Sequence, residues 1–168
     1  MRGIVKLYVK GFFAFAAVFA VVLALIDYYD GSIDWLQITI ASVFFGVFMS
    51  WIIVNAQKKK VREYKKSEVI DKDLKVKQSI SFYTELSINE ILDLLEKNDI
   101  TKAWRFKIVS SEIKGITKRS RGSWGERVSV KFAEGKVQVE SRPILFTAIF
   151  DAGRSFYNVQ LVKAIIER

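Results

Sequence analysis

The chain has 168 residues, about one domain's worth, with 27 Lys and Arg against 18 Asp and Glu for a net charge of +9. Cys and His are both absent, which excludes disulfides, thiolate nucleophiles, Cys/His zinc sites, Ser-His-Asp chemistry and haem held by His. A hydrophobic share of 51% at a mean hydropathy of +0.17 sits beside 27% charged residues, so the apolar residues must be segregated.

They are segregated at the amino end. Gly11–Ile26 is free of charge for 16 residues, and adding Leu7–Lys10 gives 20, with the Lys10 ammonium placed to snorkel outward. Trp35–Val54 is a second run of 20 residues with no ionisable side chain. At about 1.5 Å per residue each run matches the roughly 30 Å of a bilayer's hydrocarbon core. Arg2, Lys6 and Lys10 precede the first run, Asp27, Asp30 and Asp34 separate the two, and QKKKVREYKK follows the second. Cations collect on the cytoplasmic side, so a multi-pass hairpin in the cell (inner) membrane of a bacterium is expected, spans about 7–26 and 35–54, with both termini cytoplasmic. Residues 1–24 also have the make-up of a cleavable signal peptide, with Val22-Leu23-Ala24 as the cleavage site; the downstream part stays cytosolic in either case. Ala16, Ala20 and Ala24 recur every four residues, as do Ser42, Gly46 and Ser50. Such stripes let helices approach closely, either within one hairpin, the favoured reading, or between copies of the chain.

Residues 58–75 read as a basic juxtamembrane connector. Lys58, Lys59, Lys60 and Arg62 open a segment, 58–77, that carries +5 of the total charge. It serves as the topology signal, or in addition gathers anionic lipid.

From about residue 76 the pattern turns to alternation. A strand is expected near 76–84. LSINEILDLLEKN then starts a helix with a capping box, Ser87 and Glu90, a staple of Leu86 on Ile91, and an apolar face of Ile88, Ile91, Leu92 and Leu95. Period-two runs follow at Trp104–Ile108, Ile113–Lys118, Val128–Phe132 and Val137–Glu140, with Glu134-Gly135 as a turn. Ser155 is placed to cap a last helix in which Tyr157, Leu161, Ala164 and Ile165 share a face. The fold class is therefore α+β: a two-helix transmembrane hairpin, then a small antiparallel-sheet domain over 76–168 in the order β-α-β-β-β-β-α.

Two segments stand apart from this scaffold. The loop Lys118–Arg127 carries Arg119, Arg121, Trp124 and Arg127, a mixture suited to a membrane interface or a ligand; as a plain hairpin turn it would fold Trp124 back onto the core. In Ser141–Asn158, Asp151, Gly153 and Arg154 stand before the last helix, where an anion could rest on free N–H groups. Alternatively Asp151 bonds those amides itself and Gly153 makes a tight turn. The run Ile144–Phe150 between them is a buried strand or an apolar loop resting on the membrane. The stretches GSWGE, VESRP and FDAGRSFYNV resemble a family of uncharacterised bacterial membrane-anchored proteins with a small α+β cytosolic domain. That resemblance covers roughly 78–166 and implies the architecture but no activity; Arg154 and Ser155 stand where the family has a Lys-Asn pair.

No Walker motif, dinucleotide fingerprint, metal-ligand cluster or paired carboxylates accompany these features, so no catalytic residue, cofactor or metal is assigned. The expected function is a non-catalytic binding or interaction module at the cytoplasmic membrane face. Its partners are the lipid bilayer and a protein partner or second copy, with no nucleic acid. The alternative is recognition of anionic lipid, or of a small anionic ligand, by the connector and the Lys118–Arg127 loop.

Overall fold

The computed structural model describes residues 2–65, 67–119, 124–133, 136–145, 148 and 150–168. Two long helices, α1 (Arg2–Tyr29) and α2 (Trp35–Lys65), form an antiparallel hairpin. Asp34 starts α2 by accepting from the amides of Leu36 and Gln37, each at 3.0 Å. Ile38, Ser42, Gly46, Ser50 and Val54 form its buried stripe. A Cβ added at Gly46 would stand 2.9 Å from the Cβ of Ala16 and 3.0 Å from the carbonyl oxygen of Phe12. The small residues thus pack against each other within one hairpin, and Phe19 stacks on Phe45 with ring centroids 4.1 Å apart just beside them. Both helices are long and apolar enough to cross a membrane.

The rest is α+β. Strands β1 (Gln78–Tyr83), β2 (Arg105–Val109), β3 (Glu112–Ile116), β4 (Glu126–Ala133) and β5 (Lys136–Pro143) make one antiparallel sheet in the spatial order β1-β5-β4-β3-β2. Helix α3 (Ile88–Lys97) connects the two edge strands, and α4 (Arg154–Ile166) closes the chain. One sheet face holds Phe82, Ile113, Val128, Val130, Val137 and Val139, which pack with Ile91 and Leu95 of α3 and with Val159, Val162 and Ile165 of α4. The capping box of α3 forms: the Ser87 hydroxyl accepts from the Glu90 amide at 3.4 Å, and the Glu90 carboxylate accepts from the Ser87 amide at 2.7 Å. Leu86 joins the same core.

Two expectations for α4 are corrected. Its N-cap is Gly153, in the left-handed conformation at φ 73°, and Ser155 lies inside the helix. Its buried apolar residues are Phe156, Val159, Val162, Ile165 and Ile166, while Ala164 is exposed and Tyr157 and Leu161 are half-buried. The reason is that α4 is covered on two sides. Val159, Val162 and Ile165 meet the sheet, whereas Phe156 enters a second cluster with Leu7, Val54, Val61 and Leu74 of the hairpin side.

That second cluster fastens the domain to the hairpin. The connector is helical as far as Lys65, so α2 runs on past its apolar run and buries Gln57 and Val61. The chain then turns back through a 3-10 turn at Asp71–Leu74. There Gln57 donates to the carbonyl of Leu74 at 2.8 Å, Asp71 accepts from the Gly3 amide at 2.9 Å, and Lys65 pairs with buried Asp73 at 2.8 Å. The Gln78 side chain donates to the carbonyls of Lys72, Asp73 and Lys75, locking the turn to the start of β1.

Candidate functional site

The cations of the connector divide by helix face. Lys58 lies over the ring of Tyr8 on α1, 5.8 Å from its centroid. Lys60 pairs with Glu63 at 2.7 Å, and Lys59 and Arg62 are exposed. Lys65 belongs to the joint, where it donates to Asp73 and to the Glu68 carbonyl. The connector is therefore a charged outer face on a helix whose inner face carries Val61, and a Cβ added at Gly153 would stand 2.9 Å from the Cγ2 of that valine.

Of the three residues at the start of α4, Asp151 is buried and its two oxygens accept from the amides of Gly153 at 3.0 Å and Ser155 at 2.9 Å. The anion on these N–H groups is thus the chain's own carboxylate. Burial raises the Asp151 pKa above the ordinary 3.8; hydrogen bonds from Ser155 and Gly153 oppose the rise, and the charge of Glu126 adds to it. Glu126 is itself buried. It accepts from the Thr117 hydroxyl at 2.7 Å, donates its amide to that hydroxyl at 2.8 Å, and faces the Arg154 guanidinium at 4.0 Å. Glu126 was not legible as a site residue, because an acid opening a strand carries no mark of being buried there.

Trp124 does not fold back onto the core; it is 60% exposed, with the Arg119 guanidinium 5.5 Å from its ring centroid. Arg121 lies outside the described residues, as do Glu134 and Gly135. Trp124 lines a small cavity, about 90 Å³, together with Gly125, Leu145 and Phe150. Phe150 in turn stacks on Phe15 of α1, centroids 6.2 Å apart, and its ring would stand 2.9 Å from a Cβ at Gly11. The described part of Ile144–Phe150 forms no strand, and its last residue rests on the hairpin at the start of the charge-free run.

The sheet face away from α3 and α4 is open and forms a concavity of about 630 Å³. Strand register arranges its side chains in rows. Nearest the Trp124 loop, Arg105, Ile116, Arg127 and Arg142 stand side by side across β2, β3, β4 and β5. The next row is Lys107, Lys114, Ser129 and Glu140, and beyond it come Val109, Glu112, Lys131 and Gln138. The two far rows contain acids: Glu112 lies 3.6 Å from Lys114 and 3.9 Å from Lys131, and Glu140 pairs with Lys77, just before β1, at 3.0 Å. Among the described residues no carboxylate pairs with Arg105, Arg127 or Arg142. Arg127 was marked in the sequence, but Arg105 and Arg142 were not. Alternation gives the face a side chain occupies, and only register shows which neighbours share its row.

Compared with family models, with curated proteins and with solved structures, the chain matches none.

Proposed function

We propose that the chain is an integral membrane protein that holds a non-catalytic α+β binding module at the cytoplasmic membrane face, with a protein partner or a second copy as its ligand. The observation that carries the reading is the surface of the hairpin. Phe13 is 66% exposed, Leu36 71% and Phe44 73%, in a continuous apolar surface around both helices. Exposed apolar patches of soluble monomers rarely exceed a few hundred Å², so lipid is the fitting solvent here. The orientation rests on the flanks: exposed Lys59 and Arg62 follow the second span, and Asp27, Asp30 and Asp34 lie between the spans. Retention of the first helix is favoured by its contacts, since Gly3 bonds Asp71 and Leu7 lies in the cluster that seats the domain. The open sheet face supports binding as the module's task, because it is concave and charged and, among the described residues, covered by no other element.

Two measurements test this reading. A reporter active only in the cytoplasm, fused after Arg168, is expected to be active, and one active only outside the cytoplasm to be silent. Crosslinking in native membranes is expected to trap one defined larger species that disappears when 76–168 is deleted. Extraction of the full chain by alkaline carbonate would remove the membrane part of the proposal. Monomer alone, both in membranes and in mild detergent, would remove the partner.

A further inference from the structure

We propose that the arginine row of the open sheet face, Arg105, Arg127 and Arg142, together with Arg119 and Trp124 of the adjoining loop, binds the phosphates of anionic phospholipids in the leaflet where the hairpin enters. The proposal rests on the hairpin spanning a bilayer, as argued above, and names a second ligand for the module.

Position is the first argument. Arg142 is followed by Pro143 and Ile144, whose amide donates to the Gly125 carbonyl at 3.1 Å, and the same loop reaches Phe150 on α1. Phe150 touches α1 at Gly11 and Phe15, the opening residues of the charge-free run. With the span entering at about residue 7, Phe150 stands one to two turns inside it, which puts the row beside its loop at the level of the headgroups. Exposed apolar side chains occur at the same end: Trp124 at 60%, Ile116 at 46% and Leu145 at 45%. An exposed Trp flanked by arginines suits the interface, where its ring sits at the headgroup level.

Charge is the second argument. Arg127 and Arg142 are direct cross-strand partners, a like-charge juxtaposition that weakens a sheet. The two outer rows carry Glu112, which answers Lys114 and Lys131, and Glu140, whereas this row carries no acid. Guanidinium forks match phosphate oxygens bidentately, so a row of them at headgroup level complements an anionic leaflet. Nucleic acid fits less well. Phe106 packs with the core, which among the described residues leaves Trp124, at the edge of the row, as the site's one exposed ring, whereas a run of bases needs successive rings to stack on.

The full chain tests this. In mild detergent it is titrated with short-chain phosphatidylglycerol and with phosphatidylcholine of the same chain length. Tighter binding of phosphatidylglycerol is expected, weakened about five-fold per arginine removed in R127Q/R142Q, as about 1 kcal/mol per cation implies. K107Q/K131Q, in the outer rows, is expected to leave the preference in place. Equal loss in both double variants, or no loss in R127Q/R142Q, overturns the site. Displacement by inorganic phosphate at constant ionic strength overturns it in favour of a free anion. In vesicles, spin labels on Leu145→Cys and Tyr83→Cys report depth, since the chain has no other cysteine. The Leu145 label is expected to meet oxygen and be shielded from an aqueous nickel complex, and the Tyr83 label the reverse. Matching exposure of the two overturns the proposal. A label on Phe44→Cys separates the failures: deep in the bilayer, it leaves the hairpin reading standing while this inference falls; exposed to water, it removes both.

Discussion

A carboxylate buried at the start of a helix has two opposing influences on it. Loss of water disfavours its charge, and the free N–H groups of the first turn favour it. At Asp151 burial is the larger, with Glu126 adding repulsion, and the pKa is raised above 3.8. The unfolded chain gives up this proton near the ordinary value while the folded chain keeps it to higher pH. Stability therefore falls as pH rises from 3.8 through the raised value, and this group adds no further change above that. Thermal melting is expected to show the unmodified chain losing stability relative to Asp151→Asn as pH rises through that window, because the variant lacks the falling contribution. A constant offset across the window would show that burial does not govern this group. The glycine two residues on gives a steric counterpart. Gly153→Ala meets left-handed strain, about 1–2 kcal/mol, and in addition the Cγ2 of Val61 at 2.9 Å. Gly31→Ala, at φ +83° with nothing within 4 Å, meets the strain alone. The midpoint of Gly153→Ala should consequently fall further than that of Gly31→Ala, and equal losses would mean that α4 is not seated on α2.

Elements differ in how much of their context their sequence carries. Helix α3 was readable from its own residues, since Ser87, Glu90 and Leu86 are local signals and Ile91 and Leu95 repeat on one face. Ser87→Ala is expected to cost about 1 kcal/mol, measurable as faster amide exchange over 88–91. Unchanged exchange there would mean the cap is idle. Helix α2 was readable only as far as Val54. Its last turns carry lysines that read in the sequence as a topology signal, and Gln57 and Val61 look unremarkable among them until the domain covers them. The face of α4 was misread for the same reason, because a helix packed on two sides has no single period. The arginine row needed still more context, namely the pairing of four strands. What is local in origin was legible, and what depends on a partner element was not. At the hairpin interface, where the small residues were legible, Gly46→Leu should force the helices apart. Overpacking of this kind costs about 1–3 kcal/mol, and the expected result is a lower midpoint in mild detergent, with a smaller loss of about 0.5–1 kcal/mol for Ala20→Gly, a helix-propensity change that adds no bulk.

At the scale of the whole molecule, the joint between hairpin and domain decides how movement in one is felt by the other. A loose connector would let the domain drift from the membrane, and the sheet would meet headgroups only by chance. The structure has instead a continuous helix to Lys65, a 3-10 turn pinned by Gln57, Lys65 and Gln78, and a shared apolar cluster of Leu7, Val54, Val61, Leu74 and Phe156. The N-terminal turn of α1 is part of this joint, since a Cβ added at Gly3 would lie 3.0 Å from the Cβ of Asp71. Disulfides need Cβ atoms about 3.5–4.5 Å apart, a small relaxation from that separation. The chain has no cysteine of its own, so Gly3→Cys with Asp71→Cys gives a clean pair. Mild oxidation of the full chain in membranes is expected to close the bond, read as a faster band on a non-reducing gel that reverts with reductant. A pair at Gly3 and Tyr83, at the far end of β1, is the negative control. If the first pair stays open, the first turn of α1 is not seated on the domain. The height of the sheet above a bilayer and the place of its arginines among headgroups, both proposed above, then lose their support.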